Sequence, residues 1–113
     1  MAVGRLVAIA ASVATVALAM QALAQEPFAL AKKVIKQHKL LTPKAERCSK
    51  LVLREDGNKR IAKIGVYEVH DDACGGDPEV EHRLFDLEIN TRTGVAKWDN
   101  NADMEMRPVP KQR

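Results

Sequence analysis

Aromatic residues are scarce in this 113-residue chain: two Phe, one Tyr and one Trp, 4% of the total. Nucleic-acid binding asks for a basic face supplied with aromatic rings. Three of the four rings, Tyr67, Phe85 and Trp98, lie instead in an acidic half, so no nucleic-acid partner is expected. Serine is scarcer still: beyond residue 25 only Ser49 remains, beside Cys48 and outside any nucleophile-elbow pattern. A hydrolase needs a nucleophile with an aligned base. There are two cysteines, Cys48 and Cys74, too far apart in sequence for a thiol oxidoreductase pair at a helix start. A glycosidase would need two carboxylates flanking a deep cleft, and a chain this short has little room for one. These shortages together predict a protein that is not an enzyme and carries no cofactor.

The N-terminus has what the rest lacks, a long apolar run. Met1 to Arg5 carries one positive charge, and Leu6 to Met20 is uncharged and mostly Ala, Val, Leu and Ile. Ala22-Leu23-Ala24 follows as a small-x-small exit before Gln25. A charged start, an apolar middle and a small-residue exit describe a secretory signal peptide over residues 1–24. The run is shorter than the roughly 20 residues that span a bilayer, so no stable membrane insertion is expected after cleavage. No Cys follows the run to take a lipid. The predicted location is periplasmic or secreted.

Cleavage after Ala24 leaves 89 residues, one small domain with a modest core. In an oxidising compartment a lone pair of thiols tends to become a disulfide, and two cysteines allow one intramolecular pairing, Cys48–Cys74. Closing that 27-residue loop is worth about 3.5 kcal/mol by chain-entropy arithmetic, a large share of a typical total of about 5–10 kcal/mol.

Charge is distributed unevenly. Residues 25–64 hold 11 basic and 4 acidic side chains, residues 65–105 hold 3 basic and 11 acidic, and 106–113 add three basic ones. A basic half and an acidic half imply internal complementarity or a bipolar surface.

Glu26-Pro27 suits a helix start. Leu30, Val34 and Leu41 with His38 mark an apolar stripe through Phe28–Leu41, widened by Phe28, Ala31 and Ile35, with lysines on the remaining positions. Thr42-Pro43 is expected to stop this helix, and Lys44–Arg47 reads as a charged connector. Strands follow from Cys48 to Leu53 and from Ile61 to Val69, joined by the Glu55-Asp56-Gly57-Asn58 turn. Gly65 marks either a bulge or a close backbone approach. After a connection from Asp71 to Glu81, Arg83–Asn90 alternates cleanly, with Phe85, Leu87 and Ile89 on one face and Asp86, Glu88 and Asn90 on the other. Thr91–Gly94 turns into a last strand over Val95–Asp99. Pro108 and Pro110 are expected to forbid further pairing, leaving 107–113 as a disordered tail. The fold predicted is α+β: an N-terminal helix packed on a four-stranded antiparallel meander, with one disulfide and a single domain over 25–106.

The connection after the second strand concentrates donors. Glu68 and His70, two apart, share one strand face and can pair with basic residues of the first half. Gly75 and Gly76 permit backbone angles that other residues resist, and Asp77 before Pro78 can accept turn hydrogen bonds. With Arg83 at the head of the next strand, Glu68, His70, Gly75, Gly76 and Asp77 are the candidate binding residues. A metal site is the alternative, drawing on His70, His82, Asp72 and Asp77. In its zinc form it takes His70, Cys74 and His82 with a carboxylate, at spacings that match no standard zinc module and with a thiolate that a disulfide would remove. In its calcium form it takes Asp71, Asp72, Asp77 and Glu79, without the alternating ligands of an EF-hand.

As a combination, Glu68-x-His70, Cys74-Gly75-Gly76-Asp77-Pro78, Arg83-Leu84-Phe85, Thr93-Gly94 and Trp98-Asp99 resembles a pattern in small exported bacterial envelope proteins, mostly uncharacterised. The match covers about 30 residues of the 89. Those relatives follow the Asp-Pro with Thr and Pro, where this chain has Glu79-Val80-Glu81-His82. The helix-then-meander layout is loosely similar to PepSY-type envelope domains, which also carry a Thr-Gly turn. The resemblance implies an α+β fold and a binding or inhibitory role toward another envelope protein or component. The function expected is a small, exported, non-catalytic binding module of the cell envelope. The alternatives are the metal-binding protein above, or an inhibitor of an envelope hydrolase such as lysozyme, working through the acidic half.

Overall fold

The computed structural model describes residues 26–111. The expected signal peptide, the residue after its cleavage point and the last two residues lie outside the described residues. The described chain is helical through 26–37 (α1). Lys39 takes a left-handed φ of 51° there, and Leu40 N–H donates back to the Ile35 carbonyl at 3.0 Å. That is a C-terminal cap built without glycine, and it ends the helix before the expected stop at Thr42-Pro43.

Thr42-Pro43 opens a second helix instead. Thr42 is the N-cap of Pro43–Arg47 (α2), its Oγ1 accepting from Ala45 N–H at 3.1 Å, with proline at a position whose missing N–H costs nothing. The segment read as a connector is therefore one helical turn. No helix among the described residues is long and apolar enough to cross a membrane.

Five strands follow in an antiparallel sheet whose spatial order is the chain order: β1 (Ser49–Leu53), β2 (Ile61–Glu68), β3 (Arg83–Asn90), β4 (Ala96–Trp98) and β5 (Arg107–Pro108). The expected count was four, and the expected disordered tail begins inside the fifth strand. Pro108 faces Lys97 in the ladder, while Val109 N–H donates to the Ala96 carbonyl at 3.3 Å. Alternate residues of an antiparallel edge point their N–H groups away from the neighbour. Pro108 and Pro110 occupy those outward positions, so neither removes a ladder bond. Val109 packs against the core, and the Pro110 carbonyl lies 2.5 Å from His38 Nδ1 at the end of α1.

The core forms where α1 covers one sheet face. Ala31, Val34, Ile35 and Leu40 meet Ala62, Ile64 and Val66 of β2, Phe85, Leu87 and Ile89 of β3, and Ala96 of β4. The alternation read in Arg83–Asn90 is what sends Phe85, Leu87 and Ile89 inward, each essentially without solvent contact. Trp98 closes one end edge-on to Phe85, ring centroids 5.1 Å apart. The opposite face is polar: Lys63 Nζ sits 3.1 Å from Asp56 and 3.7 Å from Glu88, and Arg54 donates to the Tyr67 hydroxyl.

Gly65 marks the close approach, not the bulge. The Tyr67 ring lies where a Cβ on Gly65 would be, 2.8 Å away. The register shift falls one step on, between Val66 and Tyr67: Val66 faces Phe85 but Tyr67 faces Arg83, leaving Leu84 as the extra residue.

Candidate functional site

The bulge decides what stands opposite the end of β2. In an unbroken ladder Glu68 would face Arg83. With one residue inserted, Glu68 N–H donates to the His82 carbonyl at 2.9 Å, and Arg83 moves to Tyr67. Glu68 Oε2 then lies 3.3 Å from His82 Nδ1 and 2.8 Å from His70 Nε2. The pairing expected for Glu68 and His70 was with lysines and arginines; they pair with each other and with a second histidine.

The connection from β2 to β3 holds His70 from the other side. Cys48 and Cys74 are disulfide-bonded, which ties this connection to the residue before β1. Val69 N–H donates to the Cys48 carbonyl at 2.7 Å, reinforcing the same anchor. Within the loop, Asp71 Oδ1 accepts from Cys74 N–H and the Asp71 carbonyl accepts from Gly75 N–H, both at 2.7 Å. Gly75 and Gly76 both take φ of 81°, an angle that L side chains resist. The chain then passes under the His70 ring so closely that a Cβ on Gly76 would come within 2.6 Å of it. The Asp77 carbonyl faces His70 Nδ1 at 3.0 Å.

His70 thus has an acceptor at each ring nitrogen, Glu68 Oε2 and the Asp77 carbonyl, an arrangement that the doubly protonated ring satisfies in full. Its side chain is 13% exposed, against 39% for Glu68 and 59% for His82. The hydrogen bond that the Glu68 carboxylate accepts from Nε2 holds the His70 imidazole above the usual histidine range, helped by the Asp77 carbonyl and opposed by partial burial. Reciprocally, the bond from His70 holds the Glu68 carboxyl below its usual range, with His82 acting in the same direction.

His70 stands between two shallow clefts. One, about 260 Å³, is lined by Cys48, Glu68, Cys74, Gly75 and Gly76 together with the ring. The other, about 360 Å³, runs along Glu68 to Lys50, Glu79 and Glu81, where Lys50 Nζ and Glu81 Oε1 are 3.5 Å apart at an exposed rim. A third, more apolar groove of about 340 Å³ lies between α1 and β1, lined by Phe28, Ile35 and Leu51.

Of the sequence-predicted binding residues, Glu68, His70, Gly75, Gly76 and the Asp77 backbone come together around one ring. Arg83 does not join them. Its guanidinium points to Asp99, 3.0 Å from Oδ2, with Asp86 Oδ1 at 3.6 Å. Of the predicted metal donors, Cys74 is consumed by the disulfide. The Asp71 and Asp77 carboxylates are occupied by turn hydrogen bonds, the latter from Glu79 N–H at 3.0 Å. Among the described residues one group of three or more His, Cys, Asp or Glu side chains converges: Glu68, His70 and His82, with ligand atoms within 4.8 Å of one another. It keeps both predicted histidines and replaces the loop carboxylates with Glu68.

Fold and site together define a small, disulfide-stapled α+β domain that carries a Glu-His-His cluster at the end of a bulged hairpin. Comparison with protein-family models, with curated proteins and with solved structures gives no match to this chain.

Proposed function

We propose that this chain is a small, exported, non-catalytic binding module of the cell envelope, with its binding surface at the clefts on either side of His70. The observation that carries the reading is the fixing of that ring. A covalently anchored loop, a glycine under its face and acceptors at both nitrogens hold one imidazole at the mouth of a concave surface. Rigid placement of this kind lowers the ordering cost of binding. Ser49, the one serine in the described residues, donates its hydroxyl to the Glu46 carbonyl at 3.0 Å, which favours binding over serine chemistry. The apolar N-terminal run with its small-residue exit and the paired cysteines support export.

The test is native co-purification from the envelope with the wild-type chain and with His70→Ala, after mass spectrometry of the processed N-terminus. The expected result is a chain beginning at Gln25 and a partner or envelope component lost from the His70→Ala preparation. An unprocessed chain, or the same recovered set with both proteins, overturns the proposal.

A further inference from the structure

We propose that Glu68, His70 and His82 form a binding site for a divalent late-first-row transition cation of the zinc type. The inference rests on the binding-module reading, since it assigns a ligand to the same surface. Two imidazoles and one carboxylate are the donor set that such ions accept, whereas calcium and magnesium prefer oxygen alone.

The geometry is near what an ion requires. Ligand atoms about 2.0–2.1 Å from a tetrahedral zinc stand roughly 3.3 Å from one another. Glu68 Oε2 already lies 3.3 Å from His82 Nδ1 and 2.8 Å from His70 Nε2, and all three ligand atoms lie within 4.8 Å of one another. Glu68 and His82 are exposed enough to open the second distance by a side-chain rotation.

His70 is held as a ligand histidine should be. Its Nδ1 faces the Asp77 carbonyl at 3.0 Å. An Nδ1–H donated there leaves the Nε2 lone pair facing the Glu68 carboxylate, and a backbone carbonyl on the second ring nitrogen is the usual outer partner of a metal-bound imidazole. The ion takes the place of the proton at Nε2, and that proton leaves to solvent. Gly76, with no side chain, leaves the ring room to sit in this position. The backbone bond between Glu68 and His82 and the Cys48–Cys74 anchor bring both arms of the site together before any ion arrives. Three protein donors leave one position of a tetrahedral ion for water or for a donor group on a bound partner. The cleft toward Lys50, Glu79 and Glu81 gives that group room.

The experiment uses untagged, oxidised, chelator-stripped protein titrated with zinc by calorimetry at pH 7.5, with magnesium and calcium as control ions. Ring-nitrogen NMR of the histidines is recorded alongside. The expected result is one zinc per chain, perturbation of the His70 and His82 rings but not of His38, and binding at least about tenfold weaker in His82→Ala and Glu68→Gln. His82 is an exposed side chain, so its removal leaves the fold in place. No heat and no ring perturbation with the wild-type protein, or zinc binding indifferent to His82→Ala, overturns the inference. So does equal binding of magnesium. If zinc fails to bind while partner recovery still depends on His70, the metal site falls and the binding module stands. If zinc binds at the three residues while no partner depends on His70, the reverse holds.

Discussion

Arg83 and Asp99 form a partly buried ion pair across β3 and the end of β4: Nη1 lies 3.0 Å from Oδ2 and 3.3 Å from Oδ1. Asp99 N–H donates to the Asp86 carbonyl at 3.3 Å, and the same Oδ1 accepts the backbone N–H of Asp86 at 2.7 Å, so a side chain supplies the second bond of the pair just beyond β4. Asp99 is 8% exposed. Its replacement by Ala leaves the Asp86 amide without an acceptor and the Arg83 guanidinium with only the more distant Asp86 carboxylate, a loss of about 2–4 kcal/mol. Urea denaturation of Asp99→Ala measures it, and Asp99→Asn, which keeps an acceptor for Asp86, is expected to lose less. Zinc titration of the folded variant is expected to match wild type, because Asp99 is not among the three donors.

Gly76→Ala strikes two features at once. The residue sits at φ 81°, and the new methyl would meet the His70 ring. A loss of about 1–3 kcal/mol is expected from the backbone alone, together with shifted His70 ring resonances. Gly75 shares the angle but faces open space, so Gly75→Ala is expected to cost stability while leaving the His70 resonances in place. Thermal melts with histidine NMR on the two variants separate the effects.

In chelator-treated protein the Glu68–His70 pair gives stability a defined pH profile. His70 titrates above its ordinary 6.5 in the folded chain, so its contribution is complete below 6.5 and is lost as pH rises through the raised value. Glu68 titrates below its ordinary 4.5, so its contribution is complete above 4.5 and is lost as pH falls through the lowered value. Both are present in full between those two pH values. The groups around the pair are His82, Lys44, Lys50, Glu79 and Glu81, with the Asp77 carbonyl on the far ring nitrogen. NMR titration of His70 in wild type and Glu68→Gln checks the sign: the His70 midpoint is expected to fall in the variant.

Reduction of Cys48–Cys74 is expected to lower stability by about 2–4 kcal/mol, since the bond closes a loop with a sequence separation of 26. Denaturation with and without reductant measures this, with Cys48→Ala/Cys74→Ala as the control that no reductant should affect.

Much of the sheet was legible because burial imposes a period of two. Arg83–Asn90 was delimited correctly from alternation alone, and the Thr91–Gly94 turn from its residue types; the Glu55–Asn58 turn forms where expected, but the Asn58 side chain holds it and Gly57 takes no positive φ. The helix ended early because Lys39 adopts a left-handed angle that composition does not announce. β5 escaped because proline argues against a strand in general, and its tolerance at the outward positions of an edge depends on a register that the sequence does not display. The site was half visible for the same reason. Glu68 and His70 were near neighbours in sequence, but His82 joins them only because Leu84 is inserted, and that one insertion also removes Arg83. The Asp99 partner could have been sought from the other end: a carboxylate directly after an apolar strand, within reach of an arginine that heads its neighbour.

The outward prolines of β5 make the two flanks of the sheet unequal. A chain approaching that side finds donors missing at 108 and again at 110, while Ser49–Leu53 on the far side contains no proline and keeps every outward amide not spent on β2. Proline therefore disfavours strand addition at the β5 edge and leaves the β1 edge without that protection.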